Sequence, residues 1–229
     1  MFKDTKAVSQ TFINRVFGWM FIALLISAFS AFAFASSKDF MDMLIVKGVN
    51  GKETATGLAW IVMLLPLIFG LLLIFGYEGF SEKTVKAIFL IYSAVNGVSF
   101  SLIIHYYTTS SLISCFVSAA AMFAIMAIYG YVTKKDLSSW GSILLMALFG
   151  LIIVNLVTLF TGSTKMMDYI IGSIGVIVFC GLTAYDIQKL KDMAYDEKGA
   201  VMGAFQLYLD FVNIFLYLLR IFGVSSSDD

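Results

Sequence analysis

Seven long apolar stretches, separated by polar gaps, dominate the pattern of the chain. Each stretch is long enough to cross the roughly 30 Å hydrocarbon core of a bilayer as an α-helix. The gaps are short except for residues 37–56, which contain six charged residues. The pattern predicts an all-α bundle of seven transmembrane helices in one domain over residues 1–229, with residues 37–56 as the only sizeable extramembrane loop. The predicted spans are residues 13–36, 57–77, 85–105, 110–132, 139–161, 168–187 and 200–223.

The composition supports membrane lipid as the surrounding medium. Of the residues, 60% are hydrophobic and 13% are charged, whereas an ordinary soluble domain has about 25% charged residues. The 15 basic and 15 acidic residues give a formal net charge of zero, so the chain lacks a broad basic face and nucleic acid is not expected as a partner. Cys115 and Cys180 lie within apolar stretches, where they are expected to pack as small hydrophobic side chains. No cofactor is expected.

The distribution of lysine and arginine predicts the orientation of the spans. Positive residues beside a span are retained on the cytoplasmic side of the membrane. If the N-terminus is cytoplasmic, ten of the 15 basic residues fall on the cytoplasmic side and five on the other side. We therefore predict a cytoplasmic N-terminus, and the odd number of spans then places the C-terminus on the opposite side.

Two aspartates within the spans are the strongest functional signal in the sequence. A charge at the centre of a bilayer costs at least about 2.5 kcal/mol, so such residues are by default functional candidates. Asp210 lies ten residues into the last predicted span, and Asp186 lies near the cytoplasmic end of the sixth. An antiparallel hairpin of these two spans would bring both carboxyl groups towards one level. Two carboxylates in a poorly solvated site cannot both ionise cheaply, so we expect them to share a proton and sense pH.

Asp210 also belongs to a polar stripe on the last predicted helix. Spacings of three and four residues place its members on one helical face: Gln206, Asp210, Asn213 and Tyr217. We expect this stripe to line a pore or an internal polar network, and Asn96 in the third span is a further candidate. Polar side chains also hold membrane helices together by hydrogen bonds alone. That structural role fits Asp210 poorly, because asparagine would supply the same hydrogen bonds without a charge.

Three segments carry a family resemblance. They are GAFQLYLDFVNIFLYLLRIFG at residues 203–223, AYDIQKL at residues 184–190 and TKKDLSSWG at residues 133–141. These segments resemble the signature of the Bax inhibitor-1 (transmembrane BAX inhibitor motif) family, and the similarity covers essentially the whole seven-span region. The acidic SSSDD tail is similar to that of bacterial members. The resemblance implies a multi-pass protein of the cell inner membrane, a central last helix and a pH-sensitive Ca²⁺ leak through a pore closed on the cytoplasmic side.

The resemblance also implies the site residues. The hydrogen-bonded, proton-sensing aspartates of the family correspond to Asp186 and Asp210, and the expected transported ion, Ca²⁺, would pass transiently near Asp210. Bacterial relatives can carry a basic residue on the second helix that latches onto the aspartate pair, but residues 76–83 read GYEGFSEK, without arginine. Lys83 and Lys86 are the candidate replacements for this latch, although lysine is a more hydrated point charge than arginine.

Other functions stay open on the sequence. A proton-coupled cation transporter would use the same carboxylates, and a regulatory binding partner of other membrane proteins would need no ion pathway. An enzyme is not expected, because the single histidine, His105, lies at a span end and a zinc hydrolase needs several such ligands. Ser173 lacks the nucleophile motif and the evident histidine partner of a serine hydrolase.

Overall fold

Seven long helices form the bundle, and a short helix follows the first of them. The computed structural model describes residues 2–48, 53–191 and 196–224, with side chains from residue 10 onward. The long helices are α1 (Phe2–Ala35), α3 (Gly57–Gly76), α4 (Glu82–Tyr106), α5 (Thr109–Val132), α6 (Ser138–Thr161), α7 (Lys165–Leu190) and α8 (Glu197–Phe222), and the short helix is α2 (Lys38–Leu44). All seven long helices are apolar and long enough to span a membrane. The predicted all-α, seven-span architecture is confirmed.

Helix α8 occupies the centre of the bundle. It packs against α1, α4, α5 and α7, whereas α3 packs mainly on α4 and α6 mainly on α7. In the most apolar windows of α7 and α8, 67% and 61% of the residues are buried, against 6% in α6. The central position of the last helix agrees with the expectation from the family resemblance, and Asp210 on this helix is buried.

Helices α7 and α8 approach each other closely. Gly175 of α7 lies against the ring of Tyr217, and a Cβ atom on this glycine would lie 2.5 Å from the ring. Gly172, one turn earlier, faces the side chain of Ile221 in the same way. The missing side chains allow the two backbones to pack tightly, as small residues commonly do in membrane bundles.

Pro66 lies inside α3 without interrupting it. Proline has no backbone N–H, so it leaves the carbonyl of the residue four positions earlier, Val62, without its helical donor. The hydroxyl of Ser99 on α4 donates to the Val62 carbonyl at 2.6 Å. A neighbouring helix therefore satisfies the freed carbonyl, which is the condition under which proline is tolerated in a span.

The segment 37–56, predicted as an exposed and partly amphipathic loop, contains a helix and two short strands. After α2, strands β1 (Ile45–Lys47) and β2 (Glu53–Ala55) pair in antiparallel register. Met41 and Leu44 of α2 pack with Ala59 and Leu102 in a small buried cluster. The charged residues of this segment are exposed wherever the structure describes them, whereas residues 49–52 lie outside the described residues. The two apolar residues of α2 attach the segment to the ends of α3 and α4.

Candidate functional site

Asp210 lies in the interior of the bundle. Its side chain on α8 is 4% exposed, and its neighbour across the α7 interface is the hydroxyl of Thr183. The Oδ2 atom of Asp210 is buried without a hydrogen-bond partner among the described residues. A buried polar atom without a partner carries its full desolvation cost, and such an exception in a tightly packed interior calls for a functional explanation.

Asp186 lies one helical turn beyond Thr183 on α7 and is half-buried. It is close enough to Asp210 for the two carboxyl groups to interact electrostatically, and Lys189 lies near enough to attract the Asp186 carboxylate. Across the described part of the chain, no hydrogen bond joins the two aspartates. The structure thus places both carboxyl groups in one electrostatic neighbourhood, and sharing of a proton between them stays a prediction.

The predicted polar stripe on α8 divides into separate environments. Gln206 is half-buried, one helical turn before Asp210. The Asn213 amide donates to the Leu209 carbonyl of its own helix at 2.8 Å, and the Tyr217 hydroxyl accepts from Asn155 of α6 at 2.9 Å. Only Asp210 faces the aspartate neighbourhood on α7, so the four residues do not form one continuous network.

Asn96 belongs to a second buried polar group, between α1, α4 and α8. Its amide donates to the Tyr208 hydroxyl at 2.8 Å. Tyr208 also lies 2.7 Å from the Ser27 hydroxyl, which is 2.7 Å from the Ser93 carbonyl. One consistent assignment of the hydrogens runs from Asn96 to Tyr208, then to Ser27 and to the Ser93 carbonyl. Tyr208 could not be predicted as part of a polar group, because an aromatic residue within an apolar stretch is typical of an ordinary core.

A third polar group lies where the start of α7 meets the end of α8. Arg220 donates from Nε to Asp168 Oδ1 at 2.9 Å and from Nη1 to Asn155 Oδ1 at 2.6 Å. A third guanidinium nitrogen lies 2.8 Å from the same Asp168 oxygen. In the sequence, Arg220 contributes only to the predicted orientation of the spans. Its spacing of three residues from Tyr217 is the signal that places it beside the polar stripe.

The candidate latch residues lie elsewhere in the described structure. The Lys86 ammonium is 2.7 Å from Glu82 and 3.3 Å from Glu197, and Glu197 also accepts a hydrogen bond from the Trp19 indole at 2.8 Å. Lys83 is exposed on α4. Within the described residues neither lysine contacts Asp186 or Asp210. Lys86 instead connects the N-terminal ends of α4 and α8.

No larger set of metal ligands accompanies the aspartates in the described part of the chain. Groups of three or more histidine, cysteine, aspartate or glutamate side chains that could hold an ion do not occur there. His105 Nε2 is 3.0 Å from Glu53 Oε2 on β2. This pair lies at the C-terminal end of α4, whereas Lys86 lies near its N-terminal end.

A bundle of seven apolar spans, of which the last is central and carries a buried carboxyl group, defines a class of multi-pass helical membrane proteins. The chain belongs to the family described as inhibitor of apoptosis-promoting Bax1, which matches residues 9–227. The sequence resemblance to the Bax inhibitor-1 family is therefore confirmed.

The relatives extend over nearly the full chain. The Inner membrane protein YbhL of Escherichia coli (strain K12) is 41% identical over 229 residues, covering 95% of this chain and 93% of the relative. An uncharacterized protein of Borreliella burgdorferi is 38% identical, covering 99% of this chain and 97% of its own length. Together with the seven apolar helices, these similarities establish a multi-pass inner membrane protein.

Proposed function

We propose that the protein is a pH-sensitive Ca²⁺ leak channel of the cytoplasmic membrane, gated by proton occupancy of Asp186 and Asp210. The observation that carries the proposal is the buried, unpartnered Oδ2 atom of Asp210 on the central helix. A protonated carboxyl group can remain in this position at the cost of one missing hydrogen bond. An ionised one would place a charge among apolar side chains beside a second carboxyl group.

The change in charge acts at a closely packed helix pair. Asp210 and Thr183 face each other across the α7–α8 interface, and the same interface contains the contact between Gly175 and Tyr217. Ionisation of Asp210 next to Asp186 adds repulsion between α7 and α8. Separation of these helices would admit water to both carboxylates, so the charge state of the pair selects between two packings of α8.

The chemistry of the pair suits Ca²⁺ as the permeating ion. Ca²⁺ prefers carboxylate and carbonyl oxygen ligands, and conduction requires binding weak enough for release. Two carboxylates supply a transient charged position, whereas a tight site needs six or more oxygen ligands. In this proposal Asp210 contacts the passing ion and Asp186 adjusts the charge beside it.

Flux measurements on purified protein test the proposal. Liposomes containing the full chain and an internal Ca²⁺ indicator should show Ca²⁺ entry down its gradient, at a rate that changes with pH. The variants D186N and D210N, and the double variant, should alter the rate and flatten its pH profile. The matched control is D42N, which removes an exposed carboxylate on α2 and should leave the profile unchanged.

Two results would contradict the proposal. An unchanged rate and pH profile in the double variant would remove the aspartates from the mechanism. Accumulation of Ca²⁺ against its electrochemical gradient, driven by an imposed pH gradient, would indicate a proton-coupled transporter, because a channel cannot move ions uphill.

A further inference from the structure

A polar cavity opens at the predicted cytoplasmic end of the bundle, beside Asp186 but without that side chain in its lining. Its volume is about 380 Å³, within the range of roughly 300–1,000 Å³ that is typical of small-ligand sites. It lies between the α5–α6 connection and the last turn of α7. Four lysines line it: Lys134, Lys135, Lys189 and Lys191. Two of the segments that carry the family resemblance, residues 133–141 and 184–190, therefore meet at one cavity.

Gln188 fixes the shape of this cavity. Its side-chain oxygen accepts a hydrogen bond from the Leu137 backbone N–H at 2.7 Å, and its side-chain nitrogen donates to the Lys135 carbonyl at 2.8 Å. Both bonds join α7 to the α5–α6 connection. The backbone that carries Lys134 and Lys135 is consequently held in place by α7 and does not depend on a bound ligand for its position.

The cavity has an excess of positive charge. Among the described side chains, no carboxylate forms a salt bridge with Lys134, Lys135 or Lys189, whereas Lys86 has two such partners and Arg220 has one. Lys191 donates to the Gly130 and Tyr131 carbonyls, which orients it at the wall. The described lining thus contains four lysines and one carboxylate, that of Asp136, while the Asp186 carboxyl group lies near Lys189 outside the lining.

Asp136 lowers this excess by one charge and is engaged with the start of α6. Its Oδ1 accepts from the Ser138 backbone N–H at 2.8 Å. The side-chain and backbone hydrogen bonds of Ser138 hold the pKa of the Asp136 carboxyl group below its usual range. Leu137, the residue that precedes α6, supplies no side-chain cap, and the Asp136 carboxylate offsets part of the positive end of the α6 dipole.

Retention of lysines on the cytoplasmic side explains their number but not their arrangement. Orientation requires only that basic residues flank the spans. The four lysines around one fixed cavity repel one another, and a bound anion would reduce this repulsion. A phosphate group offers several acceptor oxygens to lysine donors and the α6 terminus.

We propose that this cavity binds the phosphate group of an anionic ligand, and that the cytoplasmic-leaflet phospholipids are its main source. The cavity borders α6, whose sides face lipid. Trp140, in the first turn of α6, is 46% exposed, as is typical of aromatic residues at the level of lipid headgroups. A phospholipid next to α6 would thus have its headgroup at the height of the lysines. Soluble phosphate compounds offer the same chemistry from the cytoplasm.

Binding measurements separate these two sources. Full-length protein in neutral detergent is titrated with phosphatidylglycerol or with phosphatidylcholine of the same acyl chains, and bound lipid is counted by native mass spectrometry. A parallel titration with sodium pyrophosphate at constant ionic strength follows the melting temperature. Preferential retention of phosphatidylglycerol supports the lipid source, and stabilisation by pyrophosphate with equal retention of both lipids supports the soluble one.

Lysine variants test whether the cavity is responsible. The double variant K134Q/K135Q should weaken anion binding about tenfold or more, since a lysine near an anionic surface contributes roughly 1 kcal/mol. K134R/K135R should retain binding, which shows that the fold tolerates substitution there. The matched control K83Q/K198Q removes the same charge from the same membrane side, outside the cavity.

Two outcomes would overturn the inference. Equal weakening in K134Q/K135Q and K83Q/K198Q would show that net charge alone attracts anions. Absence of both phosphatidylglycerol preference and pyrophosphate stabilisation in the unmodified protein would show that the cavity binds no phosphate. The readout is binding, so the result is independent of whether the protein conducts Ca²⁺.

Discussion

Arg220, in the last turn of α8, is bound to Asp168, in the first turn of α7, by two guanidinium nitrogens at 2.8 and 2.9 Å from one carboxylate oxygen. The two residues join the N-terminal end of α7 to the C-terminal end of α8. Asp186 and the start of α8 lie towards the other end of this helix pair. This pair therefore limits how far α7 and α8 can separate at the end that is predicted to be extracytoplasmic.

Removal of Arg220 should destabilise the protein measurably. R220Q leaves the Asp168 carboxylate and the Asn155 side chain without their strongest donor, and charged hydrogen bonds contribute about 1.5–3 kcal/mol each when buried. Because the two side chains are 21% and 31% exposed, we expect a loss of about 1–3 kcal/mol in the free energy of unfolding, measured by denaturant titration in detergent. In a double-mutant cycle, D168N/R220Q should cost less than the sum of the single variants. Strict additivity would show that the pair does not contribute.

The proline in α3 gives a second prediction, which concerns Ser99. S99A removes the only side-chain donor to the Val62 carbonyl in the described structure, and we expect it to lower the unfolding free energy by about 1 kcal/mol. Its matched background is P66A, in which residue 66 regains an N–H that can bond to Val62. The same S99A change should cost clearly less in P66A than in the unmodified protein. Equal costs in both backgrounds would mean that Ser99 does not serve the proline.

The lysine cavity gives a prediction about pH. The hydrogen bonds from Ser138 hold the pKa of the Asp136 carboxyl group below its usual range, so this carboxylate is ionised throughout the interval from about pH 5 to 7. A phosphodiester headgroup is ionised there as well. In D186N, which removes the carboxyl group beside Lys189, retention of phosphatidylglycerol should therefore not change across this interval. D136N should strengthen retention by removing one negative charge from the cavity. A marked pH dependence, or weaker retention in D136N, would contradict the assigned roles.

The spans could be predicted from sequence because a bilayer demands about 20 consecutive apolar residues, a requirement that is local in the chain. Asp210 stood out for the same reason, since a charge in such a stretch is costly wherever the helix packs. The side-chain pairs that connect different helices could not be predicted in this way. Lys86 and Glu197 are 111 positions apart in the sequence, and nothing near either residue identifies the other.

The same distinction applies to residues 37–56 and to the candidate latch residues. Residues 37–56 contain charges that dominate their pattern, so the two apolar contacts of α2 and the short strand pair were not evident. For Lys86, proximity to the cytoplasmic end of the bundle suggested the aspartates as partners. The choice of Glu197 depends on the rotation of α4 about its axis, which sequence periodicity does not determine in a helix that is apolar on most sides.

The position of α8 has a consequence for the assembly of the protein in the membrane. Ribosomes deliver the chain from its N-terminal end, so the first six spans are synthesised before α8, which packs against α1, α4, α5 and α7. Before α8 is inserted, Asn96 lacks Tyr208, and Asn155 lacks both Tyr217 and Arg220. Unpaired polar groups are costly in hydrocarbon. Insertion of α8 therefore supplies the hydrogen-bond partners of polar side chains that lie on helices far earlier in the chain.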